Sequence, residues 1–266
     1  MKRNQETIGI LGYGWLGSAL ARVMQQTDFM VKASKTKWPK EGSENNVEPY
    51  TLQLTEENIE GDLSFFHDLD QLLVFLPPSQ KKTGFSLLAV LEVLYEHITQ
   101  TDVKRVIFTS STSVYGSQSG KLTENAPPKP ETKNGKTLLQ CEQFIEKQNL
   151  PYLIFRLGGL IGFDRHPIYQ LQNKIIPNPD GYINFIHQTD AVNVLLRALE
   201  NYTLRGVYNT VSPYHPKRRD YYTALCKTKG LPMPQFTDEP AIERIIASEK
   251  LEREFNYSFM VNNLLI

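Results

Sequence analysis

The stretch Ile8-Gly9-Ile10-Leu11-Gly12-Tyr13-Gly14-Trp15-Leu16-Gly17-Ser18 limits the possible folds of this chain more than any other. An apolar run opens into G-x-G-x-x-G, and apolar residues then recur at helical spacing as Leu16, Leu20, Val23 and Met24. A strand that turns directly into a helix needs a residue free of a Cβ at the bend, which Gly12 supplies. Gly14 removes the Cβ that would keep a pyrophosphate off the backbone, and Gly17 lets the new helix lie close to the strand. The amides at such a helix start carry no intrahelical partner and attract phosphate.

The stretch therefore reads as a dinucleotide-binding turn with Gly12, Tyr13, Gly14, Trp15, Leu16 and Gly17 as cofactor-binding residues. It predicts an α/β chain built on a doubly wound parallel sheet of Rossmann type, with a small C-terminal substrate lobe. A second strand is expected over Phe29 to Ala33, and an acid at its end would bind the ribose 2′-hydroxyl of NAD. The sequence there is Ser34-Lys35-Thr36-Lys37, so Ser34, Lys35 and Lys37 point instead to the 2′-phosphate of NADP, with NAD less favoured. A solvated basic loop is the alternative. Glu41 to Val47 reads as a loop and Tyr50 to Leu54 as a third strand. Asp70 to Leu76 is almost wholly apolar, as a buried parallel strand should be, and stops at Pro77-Pro78. Leu76, Pro77 and Pro78 thus join the cofactor-binding set at the carboxyl edge of the sheet. Phe85, Leu88, Leu91, Val93, Leu94 and Ile98 predict an amphipathic crossover helix over Gly84 to Gln100.

Composition narrows the partners. Lys plus Arg and Asp plus Glu each number 29 in 266 residues, so no global field draws in nucleic acid or an anionic membrane. A small-molecule substrate is the expected partner. Cys141 and Cys226 lie far apart, and the histidines show no metal-ligand spacing. The only early apolar stretch, Ile8 to Leu11, is too short for a signal peptide, and the chain reads as cytoplasmic.

Three later segments carry a family resemblance: Thr109-Ser110-Ser111-Thr112-Ser113-Val114-Tyr115-Gly116 after a fifth strand (Arg105 to Thr109), Arg156 to Gly162 after a sixth (Pro151 to Leu157), and Ile183 to Ala191. With the first turn and Gly206-Val207-Tyr208-Asn209, they resemble the NAD(P)-dependent epimerase/dehydratase family, the extended short-chain dehydrogenases, and most of all its atypical YeeZ-like branch. The resemblance implies that Ser111 hydrogen-bonds the reacting oxygen. It also implies a Tyr-x-x-x-Lys acid/base pair on the next helix, where this chain has Asn134 and Leu138 in Asn134-Gly135-Lys136-Thr137-Leu138-Leu139-Gln140-Cys141-Glu142. The proton mover must then be another group. Ser111 and Tyr115 are the catalytic candidates, with Thr112, His166 and His187 on the same edge. Each has a structural alternative: the serines satisfying a strand end, Tyr115 as a packed aromatic, and His187 capping a helix.

Residues 1–162 are expected to form the NADP-binding core and 163–266 the substrate-side lobe, with 189–211 returning to the core as a helix and the strand Val207 to Val211. Arg165 reads either as a ligand for an anionic substrate group or as a solvated cation. Tyr221, Tyr222 and Leu225 mark a helix, Ser248 a helix N-cap, and Phe259 to Ile266 an apolar tail. The sequence therefore supports an NADP-binding oxidoreductase or epimerase-like protein acting on a small hydroxyl or carbonyl compound. Its rival is a non-catalytic NADP-binding sensor or regulator.

Overall fold

β1 (Thr7–Leu11) is buried along its whole length and lies at the centre of an eight-stranded sheet. The structure, a computed structural model, describes residues 5–39, 47–79, 84–172 and 174–265; of the loop expected over Glu41 to Val47, all but Val47 fall outside them. From β1 the chain passes through α1 (Trp15–Met24) and steps outward through β2 (Met30–Lys35) and β3 (Glu48–Leu54). A short antiparallel β4 (Ile59–Gly61) ends that side. The chain then crosses to the other side of β1 and adds β5 (Gln71–Val74), β6 (Arg105–Ser111), β7 (Tyr152–Leu157) and β8 (Gly206–Thr210) in parallel. The order is β8-β7-β6-β5-β1-β2-β3-β4, so the direction of winding switches between β1 and β5. Ligands of open α/β sheets sit in the crevice at such a switch.

Two strands run further than their sequence suggests. β2 continues past Ala33 because Ser34 and Lys35 still pair with β3 at Tyr50 and Thr51. β6 continues past Thr109 because Ser110 and Ser111 pair with Arg156 and Leu157. Neither extension has a strong local signal; the neighbouring strands hold them.

Both faces of the sheet are covered. On one, α1 packs against α4 (Gln188–Glu200), burying Leu16, Leu20, Met24, Val194, Leu195 and Leu199. On the other lie α2 (Leu87–Ile98) and α3 (Lys133–Glu146), burying Leu91, Leu94, Leu138 and Ile145. Each fully buried side chain of this size contributes about 1.5–3 kcal/mol relative to exposure. α4 ends over Arg105, a wholly buried cation whose guanidinium donates to the carbonyls of Ala198 and Asn201 and to Gln71.

A third core holds the C-terminal lobe, where Tyr221, Tyr222 and Leu225 of α5 (Arg218–Lys229) pack on Ile168, Ile176 and Ile183. The tail is tied down by buried Asp190, which accepts from the Tyr257 hydroxyl (2.6 Å) and the amides of Met260 (2.7 Å) and Val261 (3.1 Å). Ser248 precedes α6 (Glu249–Phe255) without capping it by its side chain. Its hydroxyl instead accepts from the Val211 amide at 2.9 Å, because the chain leaving β8 needs a partner there. No helix among the described residues is long and apolar enough to cross a membrane.

Candidate functional site: a cleft at the sheet switch point

Gly12 has φ +95°, and a Cβ on it would stand 2.7 Å from the Phe75 carbonyl oxygen, so only glycine fits the bend. The turn is fixed by the Tyr13 amide on the Ser34 carbonyl (3.0 Å) and the Gly14 amide on that of Gly12 (2.8 Å). Gly17 lies against Ile10 and the Gly12 carbonyl, each 3.1 Å from a Cβ built there. Gly14 is different: the nearest atom to a Cβ built on it is 4.0 Å away. The space above Gly14 is open, and Gly14 brings no side-chain cap to the start of α1. That is the shape a pyrophosphate needs.

The open space belongs to a cleft of about 690 Å³ at the carboxyl ends of β1, β5, β6 and β7. Gly12, Gly14, Trp15, Leu16 and Gly17 line one wall, and Leu76, Pro77 and Pro78 line the edge beside them. Ser111, Asn134, Leu138 and Arg165 are among the residues that line the rest of it. Tyr13 faces away, with its ring buried against Trp38.

The extension of β6 decides what its serines do, since successive side chains of a strand point to opposite faces. Both serines border the cleft, but Ser110 is almost wholly buried and its hydroxyl is spent on Glu142, whereas that of Ser111 is not. The Ser111 hydroxyl oxygen accepts from the Ser113 amide at 3.1 Å, which fixes its rotamer and leaves its proton available to an oxygen in the cleft. α3 approaches this segment closely: a Cβ on Gly135 would lie 2.8 Å from the Ser113 carbonyl oxygen. Thr132 caps α3 through the Gly135 amide at 3.0 Å.

Tyr115 does not line the cleft, although its place beside Ser111 suggested a proton-moving role. Its ring is wholly buried, and its hydroxyl accepts from Arg156 (2.8 Å) while bonding Asn209 Oδ1 (2.9 Å). Burial raises its pKa further above the ordinary phenol value. Arg156 in turn is held by Glu142 through Nε and Nη2. Burial alone would lower the guanidinium's pKa, but the carboxylate beside it more than reverses that. Glu142, Arg156, Tyr115 and Asn209 form a buried polar wall behind the cleft that ties α3 to β7 and β8.

His166 and His187 are both held through Nδ1 by nearby backbone amides. His166 Nδ1 accepts from the Ile168 amide (3.0 Å), so the neutral ring carries its proton on Nε2 and donates to the Tyr221 hydroxyl (2.7 Å). That hydroxyl donates to the Leu264 carbonyl (2.8 Å) and pins the tail. Burial pushes the His166 pKa down to about 4. His187 Nδ1 accepts from the Thr189 amide (3.2 Å) and caps α4. Thr112 is buried.

At the end of β2, the Ser34 hydroxyl is buried and turned toward the Gly12 amide at 3.4 Å. Lys35 projects beyond it, with its ammonium 5.0 Å from the Tyr13 ring centroid and 4.9 Å from that of Trp38. The two rings hold the cation beside the glycine turn. Lys37 is exposed. Trp38 and Asn134 are additions to the sequence-derived set. The first had no local signal, and the second was marked only by occupying the position of a family tyrosine.

No family model matches the chain. Protein YeeZ of Escherichia coli strain K12 is 30% identical over 272 aligned residues, covering 97% of each chain. The chain belongs to the YeeZ family. Its fold is that of the NAD-dependent epimerase/dehydratases. MoeE5, solved with UDP-glucose and NAD, superposes with a TM-score of 0.78 at 18% identity, over 95% of this chain and 93% of that one. UDP-N-acetylglucosamine 4-epimerase from Bacillus cereus superposes with a TM-score of 0.76 at 17% identity, over 96% and 94%. In this YeeZ-family chain the positions of the wider family's tyrosine and lysine, Asn134 and Leu138, both line the cleft.

Proposed function

We propose that this YeeZ-family protein binds NADP(H) across the Gly12–Gly17 turn and acts as an atypical oxidoreductase on a small hydroxyl or carbonyl compound held at Ser111. The observation that carries the cofactor choice is Lys35, a cation lying over the rings of Tyr13 and Trp38 at the end of β2, in a segment with no acid. Lys35 would meet the 2′-phosphate, the amides of the first turn of α1 would meet the pyrophosphate, and Leu76, Pro77 and Pro78 would flank the path toward Ser111. The bound nicotinamide supplies hydride chemistry. Ser111 donates to the substrate oxygen, Asn134 offers a carboxamide on the opposite side, and water carries the proton that a tyrosine would otherwise move. MoeE5, whose structures hold NAD with UDP-glucose and with UDP-glucuronic acid, supports a dinucleotide and a small-molecule substrate here.

Fluorescence titration tests this reading. NADPH should bind at least about tenfold more tightly than NADH, the ratio expected for one charge-assisted hydrogen bond, and Lys35→Ala should erase the difference. Equal affinities in the wild type would refute the NADP assignment.

One observation favours a second reading, a non-catalytic NADP-binding sensor. Among the described residues lining the cleft there is no Tyr, His, Lys, Asp, Glu or Cys. Losing an acid/base costs roughly 10²–10⁴ in rate. Ser111→Ala should abolish NADPH-dependent reduction across a carbonyl panel while cofactor affinity stays. A wild type without turnover, whose protease sensitivity changes on binding NADPH, would establish the sensor instead.

A further inference from the structure

Trp15 begins α1 directly after the open Gly14, and one short turn from the far side of the chain surrounds its indole. Gly162 and Arg165 close that turn by reciprocal backbone hydrogen bonds of 2.8 and 3.2 Å. Asp164 takes the indole N–H with both carboxylate oxygens, at 2.9 and 3.0 Å. Gly162 abuts the ring edge, where a Cβ would come within 2.8 Å of Cζ2. The Arg165 guanidinium lies 5.1 Å from the ring centroid and lines the same cleft as Gly14 and Trp15.

Arg165 is exposed and makes no ion pair among the described residues, and the carboxylate next to it in sequence is engaged by the indole. A planar fork of donors is therefore parked on an aromatic face at the mouth of a cleft whose floor is the first turn of α1. An exposed cation–π contact is weaker than a bidentate bond between guanidinium and phosphate, so an anion in the cleft can take the cation from the ring. Asp164 and Gly162 keep the turn in place while Arg165 moves.

We infer that Arg165 is a clamp for a diphosphate lying on the first turn of α1, closing over it from the ring of Trp15. The diphosphate is that of the proposed dinucleotide, to which extent the inference rests on that reading; the nucleoside diphosphate of a substrate offers the same chemistry. Trp15, the ring that Arg165 would leave, is also the reporter.

The chain has two tryptophans, Trp15 and Trp38, so Trp38→Phe leaves Trp15 as the single emitter. In that background, NADP⁺, UDP and adenosine 2′-monophosphate are titrated against the protein with Arg165 intact, Arg165→Ala and Arg165→Lys. Affinity is read by calorimetry, Trp15 by emission and acrylamide quenching, and folding by melting temperature. NADP⁺ should change Trp15 emission at the midpoint of binding. Arg165→Ala should abolish that change and weaken NADP⁺ about tenfold, Arg165→Lys should restore only part, and adenosine 2′-monophosphate should bind all three alike.

If Arg165→Ala weakens UDP and leaves NADP⁺ untouched, the clamp stands and its diphosphate is the substrate's. If wild type, like the Trp38→Phe background, binds UDP in an Arg165-dependent way and no dinucleotide, the cofactor reading fails and the clamp stands. Unchanged affinity for both diphosphates in folded Arg165→Ala overturns the clamp. So does an equal loss for adenosine 2′-monophosphate, which would show a general field rather than a contact.

Discussion

Truncating Glu142 to alanine tests the account of the polar wall behind the cleft. Glu142 and Arg156 have side chains 1% and 6% exposed, and their ion pair is 2.7 Å long. Glu142 also accepts from Arg156 Nε at 3.1 Å and from the Ser110 hydroxyl. Glu142→Ala removes all of these and leaves the guanidinium buried, with the Tyr115 hydroxyl as its remaining partner here. Breaking a buried pair in this way costs about 3–5 kcal/mol, a large share of the roughly 5–15 kcal/mol that holds a typical domain. Replacing both partners by apolar residues of similar volume, Glu142→Leu with Arg156→Met, leaves no buried charge and should recover most of that loss. Urea denaturation of wild type, Glu142→Leu, Arg156→Met and their double variant measures the cycle, with Glu142→Ala alongside. If Glu142→Ala loses less than about 1 kcal/mol, or the double variant is as unstable as Glu142→Ala, charge burial does not govern this wall and the reasoning fails.

Gly14→Ala should weaken NADPH binding by more than about tenfold and leave the melting temperature within about 2 °C of wild type, since the added methyl enters open space; unchanged affinity in calorimetry would refute the pyrophosphate path. Tyr115→Phe should retain cofactor affinity and any turnover but lose about 1–3 kcal/mol in urea denaturation, because Arg156 and Asn209 each lose a partner; a selective loss of activity would return Tyr115 to the reaction. His166 is buried neutral with a pKa of about 4 against 6.5 unfolded, mainly through desolvation and then through Lys229, so its contribution is complete above pH 6.5 and lost as pH falls toward 4. That loss amounts to at most about 3 kcal/mol. His187 and His215, also depressed by burial, act in the same direction. Stability measured from pH 7 to 4 should therefore fall more steeply in wild type than in His166→Gln, and parallel curves would refute the assignment.

The first turn was legible in the sequence because each of its requirements is local. A positive φ at Gly12, a missing Cβ at Gly14 and a close helix at Gly17 depend on a few adjacent residues, and so does the swap of acid for Lys35 at the end of β2. Parallel strands were legible as apolar runs, and the departures at Asn134 and Leu138 could be read against the family pattern. Tyr115 could not be placed in this way. Its neighbours in sequence put it beside Ser111, but its hydroxyl is claimed by Arg156 and Asn209, which lie 41 and 94 residues away. The same holds for Trp15 and Asp164, 149 residues apart, and for Asp190 and the tail it binds at Tyr257, 67 residues on. Local spacing settles which conformation a segment adopts, because backbone sterics and periodicity act over a few residues. Which buried polar group meets which is settled only when distant strands come into register, because desolvation makes each such group take whatever partner the packed sheet brings to it.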